Sequence, residues 1–183
     1  MVVSGYFSPL TTIRFNFNHA NIIRYCNRPF SNVQEMNETL IAYWNSCVGP
    51  EDIIYVLGDF GFGNLASILS KLQGKKHLII GSHDRDTLKF SECFESTSQM
   101  KELNIEGCAI TLCHYCMRVW PKSHFNSIHL FGHSHNRLPP IGKSHDVGVD
   151  GNQFRPLSFE EIKIIMSQRP DNPNLVDSRD REK

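Results

Sequence analysis

Apolar residues recur with the period of a helix in three segments of the chain. The first is SNVQEMNETLIAYWNSCV (31–48), where four large apolar side chains fall on one face. Ser31 and Gln34 match a capping box at its start. We therefore predict a helix here. Its apolar face consists of Val33, Met36, Leu40 and Trp44.

Two further segments share this spacing. NLASILSKLQG (64–74) directs four apolar side chains inward and ends at Gly74, a common helix stop. SFEEIKIIMSQ (158–168) begins with Ser158 and Glu161, which form a second capping box. We predict a helix in each segment. The inward residues of the earlier one are Leu65, Ile68, Leu69 and Leu72.

Short unbroken apolar runs predict buried strands between these helices. The first two runs are DIIYVLGD (52–59) and KKHLIIGSHD (75–84). GCAITLCHY (107–115) and SIHLFGHSH (127–135) follow, and HDVGVD (145–150) is a fifth. Strands that alternate with helices favour an α/β protein, and the late run of strands favours a second sheet.

Four of the predicted strands end in side chains that can bind a metal ion. Because ligands collect at the carboxyl ends of strands in open α/β sheets, we expect these side chains to meet at one edge. Carboxylate and imidazole groups together suit manganese, iron or zinc rather than calcium. Two such ions could clamp a phosphoryl group between them. The strand-end residues are Asp59, Ser82, His83, Asp84, His114, His133 and His135.

Composition narrows the class of protein. The chain has 183 residues and a formal net charge of zero, which gives no general attraction to nucleic acid or to an anionic membrane. No apolar run approaches the roughly 18 residues of a membrane span, and we expect no signal peptide. Six cysteines without export predict reduced thiols in a cytoplasmic protein. We expect one domain over residues 1–167 and a polar, flexible tail over 168–183.

The strand-end motifs, taken in order, resemble a known family. Gly-Asp at 58–59, Gly-Ser-His-Asp at 81–84, Cys-His-Tyr at 113–115 and Gly-His-Ser-His at 132–135 resemble the calcineurin-like metallophosphoesterases, in particular small bacterial and phage members. The resemblance covers about His19 to Ile165. It implies a four-layer α/β/β/α sandwich, in which two facing mixed sheets are flanked by helices. It also implies two divalent metal ions, either Mn²⁺, Fe²⁺ or Zn²⁺.

The resemblance implies a role for each metal-competent residue. Asp59 would bridge the two metals. His114 and His133 would bind one of them, and His135 would bind the other. Ser82 stands where the family has an asparagine ligand, and its hydroxyl could bind only weakly or through water.

The resemblance further implies hydrolysis of a phosphoester by a phosphodiesterase or phosphatase. A metal-bound hydroxide would be the nucleophile, and Asp59 would take part through the metals that it holds. His83 would act as the general acid near the leaving group. His19 and Arg85 are candidates for contact with a small phosphoester or nucleotide-type substrate.

The family's first motif, Asp-x-His, is missing from this chain. Arg14 and Asn16 occupy its positions, and arginine cannot bind a cation because it offers only donors. One explanation is a degenerate member with one metal or none, which binds phosphate-containing ligands without efficient hydrolysis and in which Arg14 pairs with Asp59. Another is a shifted alignment, with His19 or another group as the substitute. A third is a one-base shift in the codons of residues 1–16.

Two other features have competing interpretations. Cys113 and Cys116 form a C-x-x-C motif, which could be redox-active or bind zinc. Two cysteines three apart on a strand would point to opposite faces, which favours buried thiols. Arg24 and Arg28 are candidates for phosphate binding, and anchoring of the surrounding loop is the alternative.

Overall fold

The computed structural model describes residues 11–174, so the expectations for residues 1–10 and 175–183 lie outside it. Within the described part, nine strands form two sheets and four α-helices accompany them. The strands are β1 (Thr11–Ile13), β2 (Ile53–Val56), β3 (Lys75–Ile79), β4 (Ser96–Ser98), β5 (Met100–Ile105), β6 (Cys108–Cys113), β7 (Ile128–Phe131), β8 (Ser144–Asp146) and β9 (Leu157–Ser158). The helices are α1 (Ala20–Tyr25), α2 (Val33–Cys47), α3 (Ala66–Leu69) and α4 (Phe159–Ser167).

Both sheets are mixed. The first has the order β4-β3-β2-β1-β9, in which only β9 runs antiparallel to its neighbour. The second has the order β5-β6-β7-β8, and its antiparallel strand is β5. In each sheet the parallel strands end at the same edge. The site residues lie in the loops at this edge. These loops follow β1, β2 and β3 in the first sheet and β6 and β7 in the second.

Two apolar clusters hold these layers together. One lies between the sheets, where side chains of β2, β3, β6 and β7 meet one face of α4. The other joins the opposite face of the first sheet to α1, α2 and α3. The protein is therefore an α/β fold of two facing mixed sheets with flanking helices, as predicted. Buried residues of the cluster between the sheets include Tyr55, Leu57, Ile79, Ile110, Leu112, Leu130 and Ile162.

Helix α2 confirms the predicted apolar face but not the predicted cap. Asn32, not Ser31, is the N-cap, and its side chain accepts a hydrogen bond from the Glu35 backbone N–H. The Glu35 carboxylate in turn accepts from the Ser31 N–H. The capping box of Ser31 and Gln34 is therefore wrong by one residue, because an asparagine oxygen caps as well as a serine hydroxyl. The face packs inward through Met36, Leu40 and Trp44.

The other predicted helices differ in length from their sequence pattern. Only one turn, α3, forms within residues 64–74, although all four predicted inward residues are buried. Gly74 ends this segment with a φ of 87°, a conformation that glycine adopts readily. Helix α4 confirms the capping box of Ser158 and Glu161. None of the helices between residues 11 and 174 is long and apolar enough to span a membrane.

The first residues of the predicted tail contact the folded body. The Asn172 backbone N–H donates to the Ser123 carbonyl at 3.1 Å, and its side-chain amide donates to the Arg118 carbonyl at 2.8 Å. Arg169 donates to the Ser144 carbonyl. Residues 168–174 are thus held against the loop before β7 and the start of β8.

Candidate metal centre

Asp59 lies in a sharp turn directly after β2, with a φ of 48°. A second carboxylate, Asp84, fixes this turn to the loop after β3. It accepts hydrogen bonds from the backbone N–H groups of Asp59, Phe60 and Gly81, at 2.9, 2.8 and 2.6 Å. Our sequence prediction grouped Asp84 with the strand-end residues but did not foresee this role, which depends on loop geometry.

The structure brings Asp59, His114 and His133 together from the ends of β2, β6 and β7. One ligand atom from each lies within 4.8 Å of the other two. His114 Nε2 lies 3.4 Å from Asp59 Oδ2. Asp59 and His114 are almost fully buried, whereas His133 is exposed. The predicted convergence of these three residues is therefore present in the structure, with one side open to solvent.

The hydrogen bonding of His114 shows that this group fits a cation. Its Nδ1 lies 2.8 Å from the Leu57 carbonyl, so Nδ1 carries the hydrogen and donates it. Nε2 then presents a lone pair toward the Asp59 carboxylate, and it is buried without a hydrogen-bond partner among the described residues. Two facing acceptors repel each other, and a divalent metal between them would satisfy both.

Two glycines permit the close approach of these loops. A Cβ atom on Gly81 would lie 2.7 Å from Asp59 Oδ1 and 2.8 Å from His114 Cε1. A Cβ atom on Gly132 would lie 2.6 Å from Arg14 Cδ. Any larger residue at either position would displace the site, which explains the glycine at the start of these two motifs.

Arg14 bonds the same oxygen of Asp59 that His114 Nε2 faces. Its Nη2 donates to Asp59 Oδ2 at 2.7 Å, and both side chains are nearly fully buried. Its Nη1 lies 3.0 Å from His135 Nε2. Burial alone would raise the pKa of Asp59, but the hydrogen bond and the charge of the Arg14 guanidinium oppose burial and hold that pKa well below its usual range. The expected pairing of Arg14 with Asp59 is present.

His135 lies outside the Asp59 group and is bonded elsewhere. Its Nδ1 is 2.7 Å from Asp150 Oδ2, so Nδ1–H donates to that carboxylate while Nε2 accepts from Arg14. Asp150 also receives two hydrogen bonds from Arg28, at 2.7 and 2.9 Å. The result is a chain of alternating charges from Asp59 to Arg28. The role of His135 as a metal ligand stays a prediction.

This chain of hydrogen bonds contains Arg28, for which the sequence left two roles open, and Asp150, which the sequence did not single out. Arg28 is buried and anchors the loop after α1, which fits the loop-anchoring interpretation. Asp150 carries no local sequence signal, because its partner Arg28 is 122 residues away and its partner His135 lies on another loop. Cys26 lies near His135 and Asp150. Since both ring nitrogens of His135 are already engaged, we assign no metal to that group.

The remaining predicted residues surround Asp59. Ser82 Oγ is 3.4 Å from Asp59 Oδ1, and the His83 backbone N–H donates to the same oxygen at 2.8 Å. The side chains of His83 and Arg85 are exposed on this loop. His19 caps α1 by accepting from the Ile22 N–H at 3.2 Å.

Asn16 and Asp146 complete the surroundings of the site. Asn16 is buried, with a φ of 72°, and its side-chain oxygen lacks a hydrogen-bond partner among the described residues. Its backbone N–H donates to the Asp59 carbonyl at 3.0 Å. Asp146 shapes the loop that carries the two histidines, since it accepts from Ser134 Oγ and from the Asn136 N–H.

The cysteines are free thiols. All six are unpaired by disulfides, and burial raises the pKa of the Cys116 thiol. A redox-active C-x-x-C motif usually has a lowered thiol pKa. Cys113 ends β6, and Cys116 lies in the loop beyond His114. This environment favours unreactive thiols over a redox pair.

Comparison with known proteins identifies a relative that aligns with most of the chain. The chain is 37% identical over 163 residues to the uncharacterized protein MJ1445 of Methanocaldococcus jannaschii, and the alignment covers 82% of the chain and 86% of that protein. A crystal structure of AQ665 from Aquifex aeolicus, a protein of unknown function, has a TM-score of 0.68 at 24% identity. It covers 86% of this chain and 98% of the AQ665 chain, so the two share a fold.

Weaker structural similarity extends to two phosphoesterases. A novel archaeal phosphodiesterase has a TM-score of 0.47 at 12% identity, covering 76% of this chain and 82% of its own. The phosphoesterase YfcE from E. coli has a TM-score of 0.44 at 17% identity, covering 76% and 78%. These scores are too low to assign an activity. No protein-family model matches the chain. The identity and coverage shared with MJ1445 place the chain in the same protein family as that archaeal protein.

Proposed function

We propose that this protein hydrolyses phosphate esters, as a phosphodiesterase or phosphatase, with one divalent metal held by Asp59, His114 and His133. The observation that carries the proposal is the buried Nε2 of His114, which has no hydrogen-bond partner within residues 11–174 and faces the Asp59 carboxylate at 3.4 Å. His133 stands beside it, with ring centroids 5.1 Å apart. This donor set suits Mn²⁺, Fe²⁺ or Zn²⁺. The order of the strand-end motifs supports the same chemistry.

The positive charges of the site suit a phosphoryl group. When bound, the metal would polarise a phosphoryl oxygen and lower the pKa of water. In this proposal the Arg14 guanidinium stands in for a second metal, since it neutralises one oxygen of Asp59 from within the fold. The buried position of Arg14 keeps that charge fixed during turnover.

His83 is the proton donor in this proposal. Its backbone is tied to Asp59 Oδ1, which positions the residue beside the metal ligands, while its imidazole is exposed and free to meet a substrate. An imidazolium there could give a proton to the departing alkoxide. Arg85, on the same exposed loop, is the proposed contact for a phosphate oxygen.

Hydrolysis of bis-p-nitrophenyl phosphate with added Mn²⁺ tests the proposal. His133 is exposed, so His133→Ala removes one ligand without opening the core. We expect the rate to fall at least about 100-fold, because loss of outer-shell partners alone costs 10–100-fold in metal sites. His124→Ala, in the loop between β6 and β7, is the matched control and should keep the wild-type rate. Equal rates in wild type and His133→Ala would refute the proposal.

The ion pair of Arg14 and Asp59 favours a second function, the binding of phosphate-containing ligands without efficient hydrolysis. A buried guanidinium that already satisfies Asp59 competes with the metal for that carboxylate. Under this alternative, wild type and His133→Ala would both be inactive, yet wild type would bind inorganic phosphate in calorimetry. Turnover that depends on His133 would exclude it.

A further inference from the structure

A small open cavity lies next to the candidate metal centre, between the start of α1 and the loop after β2. Its volume is about 190 Å³. The loop after β2 begins at Asp59, so one wall of the cavity is continuous in sequence with the site. The lining residues are Asn18, His19, Ala20, Asn21 and Phe62.

Aromatic rings connect this cavity to the proposed proton donor. The rings of Phe62 and His19 pack edge to face, with centroids 4.8 Å apart and an angle of 87°. The Phe62 ring centroid is 6.0 Å from that of His83. Because His83 is bonded to Asp59 through its backbone, a group leaving past His83 would meet Phe62 next.

The polar groups of the lining are uncharged donors and acceptors. His19 Nδ1 accepts from the Ile22 N–H, so the hydrogen of the neutral ring sits on Nε2. Burial lowers the pKa of His19, which keeps the ring neutral near pH 7. The Asn18 amide is already bonded to the Phe62 carbonyl and to Asn37, whereas Asn21 is exposed at the rim. Such a lining suits an uncharged ring with a polar edge better than an ionic head group.

We propose that the cavity of Phe62 and His19 receives a planar aromatic ring carried by the leaving group of the phosphoester, with Phe62 as the stacking surface and Asn21 and His19 Nε2–H as contacts for the ring edge. The proposal rests on the proposed hydrolase function, because it assigns the substrate class of that site. A nucleobase and a simple aryl group share this chemistry. Stacking on an aromatic side chain is tolerant of ring identity.

Matched substrates isolate the ring. Adenosine 5′-monophosphate and ribose 5-phosphate release the same kind of primary alkoxide and differ in the base, and benzyl phosphate tests a simple aryl group. We expect kcat/KM to favour adenosine 5′-monophosphate over ribose 5-phosphate by roughly 5- to 150-fold, the range for stacking of one base. Phe62→Leu should bring the ratio close to one. The control Phe125→Leu, at a side chain that is 72% exposed in another loop, should leave it unchanged.

Binding of adenosine, measured by equilibrium dialysis, separates this inference from the proposed function. His133→Ala should still bind adenosine, and Phe62→Leu should not. Asn21→Ala, on the exposed side of α1, should weaken binding without any risk to the fold. Adenosine binding without hydrolysis of any ester would preserve the cavity and overturn the hydrolase. Hydrolysis with equal kcat/KM for the two phosphates, or unchanged binding in Phe62→Leu, would overturn the cavity assignment.

Discussion

Arg14 and Asp59 form an ion pair with 2.7 Å between Nη2 and Oδ2, and each side chain is at most 3% exposed. Removing one partner of a buried pair is costly, because the other charge is left without compensation. Arg14 also bonds His135, which keeps that imidazole on Asp150 and away from Asp59. Arg14, the residue after β1, therefore links Asp59 to His135 through its two terminal nitrogens.

Restoring the missing motif tests this role of Arg14. We expect the double variant Arg14→Asp, Asn16→His to gain at least about tenfold in kcat with Mn²⁺, since an added metal supplies several kcal/mol of charge stabilisation. Without metal, its melting temperature should fall below that of wild type, because two carboxylates then lie together, and Mn²⁺ should raise it again. Arg24→Asp, at an exposed position on α1, makes the same charge change and should show neither effect. A double variant that gains neither activity nor metal-dependent stability would refute this role.

Individual residues of the site could be predicted where a strand carries them to a known edge. Asp59, His114 and His133 each follow an apolar run, and parallel strands made their meeting foreseeable. The partners of His135 could not be predicted, because Arg14 is 121 positions away and no local pattern links His135 to Asp150. The same holds for Asp84, whose bonds depend on the shape of two loops.

Among the elements, the helices with strong apolar faces were the predictable ones. α2 and α4 have one buried face each, and both were recognised from spacing. The length of α3 was overestimated. Its inward residues are buried by their neighbours, although only one turn is helical. β1, β4, β5 and β9 were not recognised. β4, β5 and β9 are short or partly exposed, so their sequences lack the continuous apolar run of a buried strand.

The cap of α4 gives a pH prediction at this scale. Hydrogen bonds from Arg155 lower the pKa of Glu161 to about 2, with burial opposing and Ser158 assisting. A lowered folded-state pKa adds stability above the unfolded pKa, and this stability is lost as the pH falls from about 4.5 toward 2. Glu161→Gln keeps the cap but removes the charge. The free energy of unfolding of this variant should therefore lose the dependence on pH that Glu161 contributes.

Urea unfolding at about pH 7 and about pH 3 measures this difference. Between about pH 7 and about pH 3 the free energy of unfolding should fall further in wild type than in Glu161→Gln. We expect the difference to stay below about 1 kcal/mol, because the ion pair with Arg155 is partly exposed to solvent. Glu160→Gln, one residue earlier and exposed, is the control and should behave like wild type. The prediction fails if wild type and Glu161→Gln lose equal stability.

At the scale of the whole molecule, the two sheets bring distant parts of the chain to one edge. The first sheet contributes Arg14 and Asp59, and the second contributes His114 and His133. The arrangement of two facing sheets was predicted from alternating strands and helices and from the family resemblance. Residues 168–174 also contact the folded body, where the Asn172 side chain donates to the Arg118 carbonyl in the loop before β7.

Counting bound metal tests the account most directly. The protein is loaded with Mn²⁺, freed of excess metal and analysed by elemental mass spectrometry. We expect about one ion per chain, because Arg14 takes the place of the second ion. His133→Ala should reduce this count, and Arg14→Asp, Asn16→His should bring it to about two. Two ions per chain in wild type, or one ion that remains bound after His133→Ala, would contradict the proposed centre.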